Sequence, residues 1–187
     1  MRIEEVRKNF EVEIKWTAFP LHPETPEEGM TLEALFAGRN YDIEASKQRL
    51  KQVAKELGLP LGDRKMTFNS RLAQELGKWA ESQGKGDPFH EAVFRAYYVN
   101  GINIGKADQL VSLAKSAELP EKETRSVLEA RPYKEAVDAD WLRSRNLGIT
   151  GVPTFVMNRR GLFGFQPYEA FEQFLKTCGV KKRIIDL

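Results

Sequence analysis

The sequence predicts an α/β protein in which a small sheet is interrupted by a long helical insertion. Residues 10–16 alternate apolar and charged side chains, as a strand with one buried face does. Residues 30–147 show helical periodicity nearly throughout, broken by short Gly, Pro and Asn segments. Residues 154–164 then predict a hairpin, and a last amphipathic helix follows it. This order of elements is typical of a sheet that an insertion divides.

The composition is that of an ordinary globular chain and excludes several classes of function. The 187 residues suffice for one domain with a sizeable core, or for a small domain that carries a large insertion. No apolar run approaches the length of a membrane span, so no membrane partner is predicted. The net charge is only +2, which predicts no nucleic-acid partner. One cysteine, Cys178, and two histidines predict neither a disulfide nor a metal site.

The first elements are a helix and the alternating strand. Residues 1–9 carry Ile3 and Val6 in a charged background, and no capping residue precedes them, so they resemble the interior of a helix. The predicted strand occupies residues 10–16. Three prolines within residues 19–26 then predict an extended connection that leaves the sheet edge.

The insertion is predicted as a series of helices with clear start and stop signals. One apolar stripe runs from Ile43 to Leu57 and ends at Gly58 and Pro60. Later helices begin behind Ser70 or Asn69, at Asp87–Pro88, before Leu110, near Pro120 and at Pro132.

The chain ends in a hairpin and a helix. The segments 154–157 and 161–164 flank the turn Asn158-Arg159-Arg160. Gln166-Pro167-Tyr168 opens the last helix, whose apolar stripe includes Cys178 and whose end is marked by Gly179. Residues 183–187 are a candidate for one further strand.

The segment with the most functional information is 148–155, in which Pro153 directly precedes a predicted core strand. Proline cannot donate a hydrogen bond to a ladder, so its position needs an explanation. Two interpretations remain open. A cis Val152–Pro153 bond at the strand entry would explain the position, whereas a trans proline would simply begin an edge strand.

Several separated motifs resemble one protein family. Gly151-Val-Pro-Thr-Phe-Val156 is similar to the cis-proline loop of thioredoxin-fold proteins, and Gly164-Phe-Gln-Pro167 is similar to the Gly-Ala-Gln-Pro segment of the FrnE-type branch of DsbA-like oxidoreductases. The resemblance covers residues 1–178. Within the insertion the same branch is resembled, in order and spacing, by the segments 69–73, 79–80, 83–86, 89–90, 94–97 and 103–105.

The resemblance implies a thioredoxin-like fold with a large all-helical insertion, as in DsbA-like proteins. Residues 1–29 and 148–187 would form an N-terminally incomplete thioredoxin-like domain, and residues 30–147 the insertion domain. The implied function is protein disulfide exchange, as in a protein disulfide isomerase, with polypeptide thiols and disulfides as substrates and no cofactor. The implied substrate-binding residues are Gly151, Val152, Pro153 and Thr154. The family and the single cysteine together favour a cytoplasmic protein.

The family's reacting groups are absent from this sequence. Its members carry a first strand and a Cys-X-X-Cys motif at the start of the first helix, where the helix dipole stabilises a thiolate. We expect Cys178 to be a buried thiol without redox function and assign no catalytic residue.

Two explanations of that absence remain open. Either the natural start lies upstream of Met1, or the chain is a cysteine-free relative. We expect the first, because the missing strand would lie inside the sheet. As the sequence stands, the Ile184–Ile185 tail or a second subunit, in a homodimer, would have to cover the gap.

Two other functions also remain open. A kappa-class glutathione transferase or 2-hydroxychromene-2-carboxylate isomerase would bind glutathione beside the same proline, although the segment 164–167 resembles the FrnE-type branch more closely. A non-catalytic peptide-binding module would use an apolar cleft of aromatic side chains. Its candidate residues are Trp16, Phe19, Phe163, Phe165 and Tyr168.

Overall fold

The computed structural model describes residues 2–183, and these residues form two compact units. The sheet unit comprises the described residues up to Leu21 and those from Ala139 onward. The helical unit comprises His22–Asp138. Each unit contains a hydrophobic cluster of its own. None of the described helices has the length and apolar character needed to cross a membrane.

The elements follow the predicted order, with one short ladder that the sequence did not predict. In chain order they are α1 (Arg2–Asn9), β1 (Met30–Thr31), α2 (Leu32–Leu35), α3 (Ile43–Glu56), β2 (Met66–Thr67), α4 (Arg71–Ser82), α5 (Gly86–Tyr98), α6 (Ala107–Ser116), α7 (Glu121–Ala130), α8 (Lys134–Asn146), β3 (Thr154–Met157), β4 (Arg160–Phe163) and α9 (Tyr168–Thr177). β1 and β2 pair antiparallel within the helical unit. Strands of two residues are too short to show a period in sequence.

The helical unit is built around α4, which packs against α5, α6 and α7. The apolar stripe predicted for α4 is buried in the structure, where Leu76 and Trp79 meet Phe89 of α5 and Leu110 of α6. Burial of one such side chain contributes about 1.5–3 kcal/mol. This cluster therefore accounts for much of the stability of the helical unit.

The helix starts follow the predicted capping signals, with two corrections. At α4 it is Asn69, not Ser70, that caps, because the Asn69 side-chain oxygen accepts a hydrogen bond from the Arg71 N–H at 2.9 Å. α5 begins at Gly86, so Asp87 lies in its first turn rather than before it. A carboxylate in the first turn still interacts favourably with the helix dipole.

A buried carboxylate ties three helices of the helical unit together. Glu75 on α4 is 3% exposed, and its oxygens accept hydrogen bonds from Arg131, after α7, at 2.8 and 2.9 Å. The side chain of Arg71 donates to Glu75 at 2.5 Å and to Asp138 on α8 at 2.7 Å. Burial alone would raise the pKa of Glu75, but the hydrogen bonds from Arg131 and Arg71 outweigh it and hold the pKa below its usual value.

The sheet unit packs α1 and α9 against one face of the β3–β4 hairpin. Val6, Phe10, Phe171 and Leu175 are buried in this cluster. The ring of Phe155 on β3 meets the ring of Phe171 edge-on, with 4.7 Å between their centroids. Aromatic pairs in this arrangement contribute about 0.5–1.5 kcal/mol beyond the area they bury.

The strand predicted at residues 10–16 is wrong as a ladder element. Its alternating burial is present, but its hydrogen bonds are limited to an isolated bridge between Phe10 and Lys182 and a bond from the Glu11 N–H to the Lys181 carbonyl. The described residues supply no neighbouring strand that would extend this pairing. Of the strand predicted at 183–187, only Arg183 is within the described residues.

We expect replacement of the buried carboxylate to destabilise the helical unit strongly. Glu75→Gln leaves the guanidinium groups of Arg71 and Arg131 without their anion and should lower the free energy of unfolding by about 3 kcal/mol at pH 7. Chemical denaturation followed by circular dichroism measures this change. Glu129→Gln, at an exposed position on α7, is the matched control and should change stability by less than about 0.5 kcal/mol. Equal effects of the two substitutions would contradict this assignment.

The same carboxylate should make stability depend on pH. Because the pKa of Glu75 is lowered in the folded state, its contribution is complete above the usual value of 4.5 and is lost as the pH falls through the folded value. The wild-type chain should therefore lose more stability than Glu75→Gln between pH 6 and pH 3. Parallel pH profiles of the two proteins would show that Glu75 does not contribute in this way.

Candidate functional site

The predicted substrate-binding residues lie together on the loop that enters β3. Gly148 ends the preceding segment with a φ of 68°, and the Val152–Pro153 peptide bond is cis in the structure. The hydroxyl of Thr154 donates to the Gly151 carbonyl at 2.7 Å, and the Gly164 N–H donates to the Pro153 carbonyl at 2.8 Å. These two bonds fix both ends of the loop, hereafter the Pro153 loop (residues 151–154).

Val152 is the most accessible part of the Pro153 loop. Its residue surface is 51% exposed. Neither its backbone N–H nor its carbonyl has a hydrogen-bond partner among residues 2–183. An exposed residue with a free donor and a free acceptor is able to pair with an extended backbone, as an edge strand does.

Exposed aromatic rings lie close to the Pro153 loop. Phe163 on β4 is directly opposite Thr154, and its ring folds over Gly161, yet the residue remains 57% exposed. Phe165 follows Gly164 and is also more than half exposed. Tyr168 differs from these two, because it is partly buried and its hydroxyl accepts a hydrogen bond from the Asn9 side chain at 2.7 Å.

Cys178 lies at the other end of β3. Its sulfur is 3.8 Å from the Met157 carbonyl, and its own carbonyl accepts a hydrogen bond from the Asn158 side chain at 3.2 Å. Met157 is three residues along the strand from Thr154, which corresponds to roughly 10 Å. The thiol is therefore remote from any sulfur held at the Pro153 loop.

A metal centre has no support in the described part of the chain. No group of three or more His, Cys, Asp or Glu side chains within residues 2–183 is arranged to hold a metal ion. The chemistry available at the Pro153 loop is therefore backbone pairing and apolar contact.

The hairpin behind the loop closes in a turn of two residues rather than the three predicted. Asn158 and Arg159 both have positive φ, at 50° and 62°, and Met157 pairs with Arg160. Two successive residues of this conformation form the type I′ turn, whose twist matches that of a hairpin. Asn is well suited to the first position, whereas Arg at the second position carries a conformational cost.

The sequence analysis missed one part of this unit. An apolar cleft lies between α8 and β3, and Leu142, Leu147 and Val156 remain partly exposed in it. No motif marks these residues, because the cleft depends on how a helix packs near a strand with an unpaired edge.

Comparison with known proteins places the chain among DsbA-like sequences. A family model described as a DSBA-like thioredoxin domain matches residues 1–176. The uncharacterized protein YwbO of Bacillus subtilis (strain 168) is 27% identical over 184 residues, which cover 96% of this chain and 88% of that protein.

Solved structures show the same similarity. The crystal structure of a probable DsbA oxidoreductase, SCO1869 from Streptomyces coelicolor, matches with a TM-score of 0.86 and 28% identity, over 100% of this chain and 85% of the other. A structure from Nitrosomonas europaea matches with a TM-score of 0.58 and 23% identity, over 73% of this chain and 74% of that one, and shows the fold alone.

We expect the turn to be improved by glycine at its second position. Arg159→Gly should raise the free energy of unfolding by about 1 kcal/mol, because glycine adopts positive φ without a steric cost. Thermal denaturation measures the effect. Arg160→Gly, which places glycine in β4 instead, is the control and should destabilise the protein. Destabilisation by both substitutions would contradict the type I′ assignment.

Proposed function

Because this chain belongs to the DSBA-like thioredoxin domain family, we propose that it acts in thiol–disulfide exchange on polypeptides, as a member of the FrnE-type branch, with residues 151–154 as the substrate-binding loop. One observation supports this role above the others. Val152 is exposed and offers a free N–H and a free carbonyl beside Pro153. These groups suit an extended substrate backbone.

The chemistry of exchange defines what such a loop must do. A thiolate attacks one sulfur of a disulfide, a mixed disulfide forms, and the other sulfur leaves as a thiolate. The substrate must therefore be held extended, with its sulfur fixed in position. Val152 would provide the pairing, while Pro153, which has no N–H, leaves no competing donor at the next position.

The surroundings of the loop favour a polypeptide over glutathione. Phe163 and Phe165 present apolar surface beside it. A chain with apolar side chains near its cysteine would cover these rings, whereas glutathione is a small polar tripeptide. Exposed aromatic rings beside a backbone-pairing residue are typical of peptide-binding sites.

The reacting dithiol is not part of the sequence in hand. Its one cysteine, Cys178, lies at the far end of β3 from the Pro153 loop. Residues 1–187 would thus supply substrate binding, and the exchange step needs a dithiol from elsewhere. A cytoplasmic location is part of the proposal and is supported by the FrnE-type resemblance.

We expect a cysteine-containing peptide to bind at Val152. The probe is a fluorescein-labelled decapeptide with leucines flanking a central S-methylcysteine, so that no exchange takes place. Val152→Pro removes one backbone donor and should weaken binding about fivefold, the effect of one hydrogen bond. Fluorescence anisotropy measures the affinity.

Two controls make this result specific. Val156→Pro carries the same change at a residue outside the loop and should leave the affinity unaltered. Glutathione, added as a competitor at millimolar concentration, should not displace the peptide. Displacement at micromolar glutathione would instead support the glutathione-dependent branch, and equal binding by Val152→Pro would remove the loop from the site.

We also expect Cys178 to take no part in exchange. Residues 1–187 should not catalyse reduction of insulin disulfides above the background of dithiothreitol alone, and Cys178→Ser should behave identically. Insulin turbidity measures the rate. Turnover by the wild-type chain that disappears in Cys178→Ser would place the sulfur chemistry at Cys178 and contradict the proposal.

A further inference from the structure

β3 has one edge that no described strand covers. On its other side it pairs antiparallel with β4, in a sheet of two strands. The two-residue turn makes Met157 and Arg160 a hydrogen-bonded pair, and such pairs alternate along an antiparallel ladder. Phe155 therefore bonds to β4, whereas the N–H and carbonyl groups of Thr154 and Val156 point to the uncovered edge.

The side chains on the same side of the strand are apolar and uncovered. Side chains alternate between faces along a strand, so Val156 points away from Phe155, which is packed against α9. The cleft beside Val156 has a volume of about 480 Å³, and Leu142 and Leu147 contribute to its wall. Val156 is 39% exposed, Leu147 41% and Leu142 53%. Three neighbouring apolar residues with this exposure suit a partner that contacts them.

The charge of the cleft indicates what that partner carries. Arg143 and Arg159 both line it and are exposed, and neither makes an ion pair or a hydrogen bond to another described residue. No acidic side chain within residues 2–183 lines the cleft, whose other polar residues are Asn146 and Asn158. Two free arginines at an apolar cleft favour an anionic group.

We propose that this cleft is a second binding site, which takes an extended peptide strand with apolar side chains at alternate positions and acidic residues at one end. The strand would pair with the backbone of Thr154 and Val156, lay its apolar side chains against Leu142, and place its carboxylates at Arg143 and Arg159. This proposal is independent of the proposed function, which uses Val152 and not the cleft.

The charges also decide between a foreign strand and a second copy of this chain. An antiparallel dimer through β3 would bring the uncovered edges of two copies together. It would also bring the arginines of one copy close to those of the other, with no acidic cleft residue between them. Like charges at an interface oppose association, so the acidic peptide is the better occupant.

The test measures binding of defined peptides to residues 1–187. Two fluorescein-labelled octapeptides alternate valine and threonine and carry two glutamates, at the amino end in one and at the carboxyl end in the other, because either strand direction is allowed. One of them should bind with a micromolar dissociation constant, and its counterpart with lysines should bind at least about tenfold more weakly.

Backbone pairing is tested on the peptide, which leaves the protein unchanged. N-methylation of alternate amides gives two versions of the tighter-binding peptide, and only one version loses the donors that face β3. That version should lose about tenfold in affinity or more, while the other retains most of its binding. Equal affinities of the two versions would overturn strand pairing.

Protein variants locate the site. Arg143→Glu should weaken binding about tenfold, whereas Arg145→Glu, an exposed α8 arginine that does not line the cleft, should have little effect. Val156→Pro removes a donor from the uncovered edge without removing a β3–β4 hydrogen bond and should also weaken binding. Val152→Pro should not. Circular dichroism verifies folding of each variant, and the peptide series decides alone if a variant unfolds.

Three results would overturn the proposal. The first is failure of both glutamate peptides to bind at millimolar concentration. The second is equal loss of affinity in Arg143→Glu and Arg145→Glu, which would place the charge effect elsewhere. The third is a dimer in sedimentation velocity that Val156→Pro dissociates, because a second copy would then occupy the edge.

Discussion

The hydrogen bonding of β3 is the constraint on which the sheet unit depends. Each backbone donor and acceptor of a strand needs a partner in the protein or in water. β4 satisfies one edge of β3, and the described residues leave the other edge to solvent or to a ligand. Val152, just before the strand, has the same unpaired character. Both proposed binding sites follow from this single open side.

The helical unit is stabilised by different means. Its cluster around Leu76 is drawn entirely from residues of that unit. Glu75, Arg71 and Arg131 add a buried charge network that requires three helices to meet in one arrangement. A buried charge of this kind destabilises any packing in which its partners are displaced. The unit thus has a core and a specific geometry that do not rely on β3.

Much of the fold could be predicted from local sequence. Helix starts at Asp42 and Asn69, the stop at Gly58 and the apolar stripe of α4 are signals contained within a few residues, and the structure contains all of them. The loop residues 151–154 were also found locally, because a proline before a strand is conspicuous in any sequence.

The features that were missed depend on residues far apart in the chain. Alternation at 10–16 predicts which side chains are buried, and that part was right, but a ladder also needs a neighbouring strand. The cleft beside Val156 combines residues of α8 with residues of the hairpin, and no pattern in either segment indicates the other. Pairing and packing between distant segments are what sequence periodicity does not contain.

Amide hydrogen exchange along β3 tests the central claim most directly. The account predicts that the amides of Phe155 and Met157, which bond to β4, are protected, whereas those of Thr154 and Val156 exchange at close to the rate of free amides. Two-dimensional NMR resolves these four amides individually in residues 1–187. Equal protection of all four would show that the edge is already paired, and it would contradict the open side on which both binding sites depend.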